Sequence, residues 1–444
     1  MHAFPTTKLR PPSASASAIP RPRLQTALDD ASERWRATLL IAPAGYGKTT
    51  LVSSWLRESG RGSAWFTVDP GDTDAGEAAA VVSSWLVAAL AHAGALSHET
   101  GAPGATDVSH LAAALEASSW QGVVVVDDAH HLDVDTGAVL ATWVERAPEG
   151  VHTMVLARST PPLPAARWLA RAEVEVLGVE ALRLQRDEGR ALVATLLGGL
   201  DSAQADALVA RVEGWPAGVQ LAARSLRGKT DVSDSIERFT GTDRYVLAFL
   251  TEEVLLRLPD DLHEAALLLA GEPRLCAGLV GALTQRSDGA AVLSRLEAHE
   301  AFLERLDAVE EDGPWFRFPD FFRELLSHRL EMANPGLRTE LATRSSSWWR
   351  QRHRRGDGRS VDLVPGAAGA SPPNLGTNEP PEPLTERERQ VLALLAVGAG
   401  TKAIARELDL SPNTVKTHTR HLFEKLGVST RTRAAARARE LGLV

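Results

Sequence analysis

Cysteine is almost absent from the chain: Cys276 is the only one, so no intrachain disulfide can form. Nothing around it has the spacing of a metal site or a redox motif, and a reducing cytoplasm suits such usage. The amino terminus, MHAFPTTKLRPPSASASAIPRPRL, lacks the uninterrupted apolar core of a secretion signal, because proline, serine and basic residues break it up. Internal repeats are lacking as well, which excludes a solenoid. Charged residues are missing from Ala78 to Leu96, a stretch with the length of a membrane span. Ala, Ser and His92 give it little insertion energy, so it is expected to be a buried helix of a soluble domain with no membrane partner.

What the chain does have is size and an uneven charge. Its 444 residues, 44% of them hydrophobic, suffice for roughly two to four globular domains. Net charge is −9, yet from Leu384 onward 11 Lys and Arg face 6 Asp and Glu, a local +5 that leaves −14 on residues 1–383. A basic end on an acidic body suits phosphate binding by that end alone.

From Ala37 to about Gly178, the runs ATLLIA, SAWFTV, GVVVVDD, HTMVLA and EVEVLG read as strands alternating with helical stretches. That alternation implies a parallel sheet with helices on both faces. From Asp187 to about Arg354 the periodicity is almost entirely helical. Residues 355–383 concentrate Gly, Pro, Ser and Asn, the composition of a linker. The expected division is an NTPase domain over 1–180, a helical lid over 181–235, a further helical domain over 236–354, the linker over 355–383 and a terminal domain over 384–444.

Ala42 to Thr50, APAGYGKTT, follows one of these strands and opens a helical stretch. Small residues there let successive backbone N–H groups, together with the positive end of the next helix, face phosphate oxygens. Gly45 and Gly47 supply that freedom, with Tyr46 between them. Lys48 would reach the β and γ phosphates, and Thr49, followed by Thr50, would offer its hydroxyl to Mg2+. The first glycine of the strict pattern is Ala42 here. The strand Val123–Val126 ends in Asp127 and Asp128, the first carboxylate suited to hold Mg2+ and the second to orient water. Arg158, at the end of another strand, could sense a γ phosphate, although a solvated arginine fits equally well. Pro216 in GWPAG suits the first turn of a helix, and Trp215 suits a core.

The last 61 residues read as four short helices. Thr385 with Glu388 makes a capping box, Gly398 a helix stop, and Ser411 a cap followed by Pro412. Val415, Thr419, Leu422 and Leu426 share one face, leaving Lys416, Thr417 and Arg420 on the other. Two basic residues one turn apart on such a helix suit the major groove of double-stranded DNA.

This end, with LTERERQVLALLAVG, KAIAREL and SPNTVKTHTRHLFEKLG, closely resembles the LuxR-type helix-turn-helix family. The resemblance implies that Lys416, Thr417 and Arg420 face bases, that Lys402 and Thr414 approach phosphates, and that Thr430 to Leu441 forms a dimer contact. IPRPRL, APAGYGKTTL, VVVVDDAHHL, ARSTPPLPAARW and EGWPAGVQLAA resemble, in order, the MalT-like branch of the STAND ATPases. That resemblance implies a P-loop NTPase, a lid and a winged helix, with ATP or ADP and Mg2+ as cofactors. It also implies that Arg158 senses the γ phosphate, that Pro216 packs near adenine, and that Ile19 to Arg21 lines the base from the other side. The expected fold class is thus multidomain, α/β plus all-α. The expected function is a promoter-binding regulator that self-associates on ATP, works with RNA polymerase and hydrolyses ATP slowly at most.

Two departures mark this chain. Relatives usually read Tyr-Arg-Phe-His-Pro-Leu-Phe where Phe316 to Phe322 stands, so Pro319 replaces a histidine expected to contact ADP phosphate. Only the linker lies where relatives place a long superhelical sensor. A constitutive DNA-binding regulator with a structural or decayed nucleotide site, or an NTPase enzyme that uses the terminal domain for targeting, are the alternative readings.

Overall fold

The computed structural model describes residues 4–13, 17–75, 77–96, 107–229, 231–310 and 313–354, with eleven single positions between Arg387 and Thr419. The chain forms two compact units, Met1–Ala368 and Gly369–Val444.

In the first unit, the five apolar runs form β1 (Ala37–Ile41), β2 (Ser63–Thr67), β3 (Gly122–Asp127), β4 (Val151–Ala157) and β5 (Val174–Leu177). All neighbours pair in parallel in the order β2-β3-β4-β1-β5. β1 therefore runs between β4 and β5, with Leu40 in register with Leu156 and Leu177. Successive side chains leave opposite faces of a strand, so a strand covered on both sides must be apolar throughout. Leu40, Val123, Val125 and Met154 enter one core, and Leu39, Val124, Val126 and Val155 enter the other.

Helices Ala78–His92, Val108–Ser118 and Val134–Arg146 supply the second core. The uncharged stretch is thus a helix buried along Val82, Trp85, Leu86 and Leu90, with Trp85 stacked on Phe66 at 5.1 Å. Among the described residues no helix is long and apolar enough to cross a membrane.

The first core continues from helix Lys48–Ser59 into helices Arg186–Leu196, Ser202–Arg211 and Pro216–Leu226, and onward into residues 236–349. There, helices Asp260–Leu269, Ala277–Thr284, Gly289–Ala298 and Asp320–Ala333 surround an antiparallel hairpin of β6 (Glu304–Glu310) and β7 (Gly313–Arg317). Leu275 bridges to Phe316 alongside it. The hairpin departs from the almost wholly helical expectation for this stretch. Its sequence, ERLDAVEEDGPWFR, is too charged to show a clean alternation, and it is held by tertiary burial of Trp315 and Phe316.

In the second unit, Val391, Leu392, Ile404, Ala405 and Val415 are buried, and the Thr419 hydroxyl donates to the Val415 carbonyl at 2.8 Å. The expected caps at Thr385, Glu388, Gly398, Ser411 and Pro412, like the helix Thr430 to Leu441, lie outside the described residues.

One buried imidazole ties the sheet to the chain before it. His152 on β4 donates from Nδ1 to the Trp35 carbonyl at 2.8 Å and accepts from the Thr38 hydroxyl at Nε2, 2.9 Å away. Burial pulls its pKa down from 6.5 to about 4. The neutral ring is thus preferred in the fold, so its stabilisation is present above the ordinary histidine range and is lost as pH falls through the folded value. Unfolding free energy by denaturant titration is expected to drop by up to roughly 3 kcal/mol from this group on acidification. A His152→Leu variant should lose that part of the pH dependence.

Candidate functional site

The loop after β1 has two glycines with positive φ, Gly45 at 81° and Gly47 at 79°, and Gly47 caps helix Lys48–Ser59. Its carbonyls at Ala42, Pro43, Ala44 and Gly45 are each taken by a donor. Lys48 Nζ donates to Ala42 O at 2.6 Å and Pro43 O at 3.2 Å. The Trp215 indole donates to Ala44 O at 3.0 Å, and Ala217 N–H donates to Gly45 O at 3.0 Å. The last two donors begin helix Pro216–Leu226, which Pro216 opens at its first position. Trp215 is fully buried, as a core residue, but it also binds the loop.

Thr49 and Asp127 meet although they are distant in sequence: the Thr49 hydroxyl donates to both carboxylate oxygens, at 3.2 and 3.1 Å. Asp127 is buried, and burial followed by the neighbouring Asp128 pushes its pKa up to about 6. Burial, reinforced by Arg158, draws Lys48 down to about 8. Among the described residues Lys48 makes hydrogen bonds only to carbonyls. A buried cation with no carboxylate partner is costly unless an anion joins it. This donor set therefore fits a magnesium-bound phosphate chain, with Thr49 and Asp127 as the metal-side oxygens.

Asp128 has a left-handed backbone, φ 54°, and its N–H bonds to Asp127 Oδ1 at 3.0 Å. Its carboxylate lies 3.7 Å from His130 Nδ1. Arg158 follows β4, next to β1, and its Nη1 donates to Glu253 Oε2 at 2.8 Å. It is a paired residue in this structure and not a solvated one.

On the other side of the loop, a cavity of about 230 Å³ is bordered by Ile19, Arg21, Gly45, Tyr46, Gly47, Thr50, Pro216 and Leu192. Arg21 is fixed there by Arg183 O and Glu188 Oε2, both at 2.8 Å. Tyr46 turns its ring into the core, 6.3 Å from Phe302, and burial raises its pKa. The structure thus brings the expected phosphate-side and base-side residues to one loop. Lys402, Thr414, Lys416, Thr417 and Arg420 lie outside the described residues.

Sequence reasoning missed several contributors. Glu253, Glu300 and His130 gather around Arg158, and no local motif marks the two glutamates. Glu213 accepts from Arg317 at 2.5 Å and from the Asp320 N–H at 2.7 Å, so the segment around Pro319 is held by an ionic clamp. Arg183 pairs with Glu304 beside it, and Arg317 reaches Glu304 at 2.7 Å. Trp215 was visible inside GWPAG, but its bond to the loop was not.

Residues 382–438 match the luxR family of bacterial regulatory proteins, and residues 251–338 match the MalT winged helix domain. The chain is 32% identical over 358 residues to the serine/threonine-protein kinase PknK of Mycobacterium tuberculosis, covering 78% of this chain and 32% of that protein. It is 28% identical over 338 residues to the HTH-type transcriptional regulator MalT of Yersinia enterocolitica, covering 73% and 36%. Among solved structures it is similar to a Walker-type ATPase of Pyrococcus abyssi, with 14% identity, a TM-score of 0.49 and coverage of 72% of this chain and 98% of that one. The chain spans about a third of the length of the curated relatives it matches. A parallel sheet around a phosphate loop is the fold of P-loop proteins, and here it is followed by a segment that matches the MalT winged helix domain. With its winged-helix and luxR-family matches, the chain is similar to the MalT-like regulators of the STAND class that carry a C-terminal LuxR-type helix-turn-helix domain.

The contact with helix Pro216–Leu226 makes the two loop glycines unequal. A Cβ at Gly45 would lie 2.5 Å from Ala217 Cβ and 2.7 Å from Trp215 Nε1, whereas one at Gly47 would meet nothing within 4 Å. Gly45→Ala is expected to cost about 3 kcal/mol of unfolding free energy and Gly47→Ala about 1 kcal/mol. Equal losses in denaturant titrations would show that helix Pro216–Leu226 is not seated on the loop.

Proposed function

We propose that this protein is a cytoplasmic, DNA-binding transcription regulator whose ATP or ADP state controls self-association and so the pairing of its helix-turn-helix domains. The observation that carries this reading is the loop itself: its carbonyls are capped by Lys48, Trp215 and Ala217, which leaves its N–H groups for an anion. In this reading Lys48 binds the β and γ phosphates, Thr49 and Asp127 hold Mg2+, Asp128 orients water and Arg158 meets the γ phosphate. Ile19, Arg21 and Pro216 enclose the base. Mg2+ would supply charge neutralisation along the phosphates. Hydrolysis is slow at most, a reset of the switch and not a metabolic turnover.

At the other end, Lys416, Thr417 and Arg420 read bases while Lys402 and Thr414 contact phosphates. Pairing matters because a single small module buries little surface on DNA. RNA polymerase is the expected partner at the promoter. The PknK name raises a kinase reading, but neither the H-R-D nor the D-F-G triplet of protein kinases occurs in this sequence.

Isothermal titration should show ATP and ADP binding by the wild-type chain and none by Lys48→Ala. Light scattering should show a larger mass with ATP, and DNA affinity should rise with it. Equal DNA affinity with ATP, with ADP and with neither would support constitutive binding, and fast turnover without DNA would support an enzyme. Separately, Arg420→Ala is expected to weaken specific DNA binding by about 1–3 kcal/mol while leaving nucleotide affinity unchanged. Unchanged DNA affinity would remove Arg420 from the interface.

A further inference from the structure

The segment His299–Leu303, between helix Gly289–Ala298 and β6, enters the phosphate side of the site from the winged-helix domain. Two of its non-glycine residues have left-handed backbones, Glu300 at φ 61° and Phe302 at φ 52°. Such conformations persist where surrounding contacts over-determine them. Phe302 supplies those contacts: it is 1% exposed, 5.5 Å from the Trp215 ring, 5.6 Å from Phe322 and 5.8 Å from Phe321. Its burial fixes where the chain turns, and Glu300 is carried with it into the site.

Glu300 then sits among groups suited to a phosphate. Its Oε2 lies 3.9 Å from Arg158 Nε and its Oε1 lies 3.9 Å from His130 Nε2. The positive charges of Lys48 and Arg257 act on it, as does the negative charge of Asp128. The His130 side chain is 6% exposed, and both ring nitrogens lack a hydrogen-bond partner among the described residues. Its buried ring is held neutral, with a pKa near 3, by burial and by the cations around it. A second winged-helix carboxylate, Glu253, binds Arg158 from the other side. A cavity of about 500 Å³ beside Arg158, Ala42 and Glu300 leaves room for this segment to move.

We propose that Glu300 stands in for the γ phosphate and is the residue by which this protein distinguishes ATP from ADP. This inference rests on the reading of the loop as a nucleotide site. With ADP, or with no nucleotide, the Glu300 carboxylate helps Glu253 neutralise Arg158, and the winged helix stays docked on the sheet. A γ phosphate needs the same cations, and two anions cannot share them without strong repulsion. The phosphate carries more charge, while burial opposes ionisation of Glu300 and pushes its pKa up to about 7. The carboxylate is therefore the anion that yields, and its departure frees the segment that holds Phe302. In this chain Glu300 supplies a latch that does not depend on the histidine replaced by Pro319.

The test is the ratio of ADP to ATP-analogue dissociation constants, measured by titration calorimetry on the full chain with a non-hydrolysable ATP. Glu300→Gln keeps the shape and removes the charge. It is expected to leave ADP affinity within about twofold and to tighten analogue binding by about fivefold or more. Glu300→Asp, which keeps the charge on a shorter arm, should give an intermediate ratio and serves as the second variant if Glu300→Gln does not fold. A wild-type ratio in the folded variants, or a parallel change in both affinities, overturns the inference while leaving the nucleotide site intact. A wild-type chain that binds neither nucleotide overturns both readings.

Discussion

The rest of the structure depends on how one indole is satisfied. Trp215 has a single polar atom, and once the ring is buried its N–H must find an acceptor. That acceptor is the Ala44 carbonyl in the phosphate loop, 3.0 Å away, with Ala217 N–H on the next carbonyl. The loop cannot be exposed to water on that side without stranding Trp215, and Trp215 cannot leave the core without uncapping the loop. With Lys48 on the preceding two carbonyls, the acceptors from Ala42 to Gly45 are all occupied. A backbone arranged this way is an anion cradle before any anion arrives.

The same indole extends the constraint outward. Its ring stacks on Phe321 at 4.9 Å and 7°, and packs against Phe249 and Phe302. Phe321 lies in the first turn of the helix that Pro319 caps, and Phe302 lies in the segment that carries Glu300. Lid, loop and winged helix thus share one core, and the polar contacts around it run between the same partners. Arg211 binds Glu324, Glu213 clamps Arg317 and the Asp320 N–H, and Glu253 pairs with Arg158. Half-buried pairs of this kind add little stability each, but they set which domain faces which. The phosphate loop and the winged helix are therefore joined through a few atoms around Trp215.

What was legible in the sequence is what local chemistry encodes. The five strands announced themselves because a sheet covered on both faces must be apolar in continuous runs, and the loop glycines because no other residue takes those φ values cheaply. Thr49 and Asp127 could be expected to meet because one begins a recognisable helix and the other ends a recognisable strand. The β6–β7 hairpin was hidden by its charge, since burial of Trp315 and Phe316 comes from distant helices. Glu253 and Glu300 were hidden for the same reason: their significance lies in meeting Arg158, across 95 and 142 positions of chain. Pro319 was legible as a departure, while the Glu213 clamp beside it was not.

The most direct test of this coupling is hydrogen–deuterium exchange of the full chain with ADP and with a non-hydrolysable ATP analogue. Faster exchange with the analogue is expected in helix Arg244–Glu253 and in the segment His299–Leu303, with β1 and β3 equally protected in both states. Identical protection of those winged-helix segments in the two states, under saturating nucleotide, would contradict it.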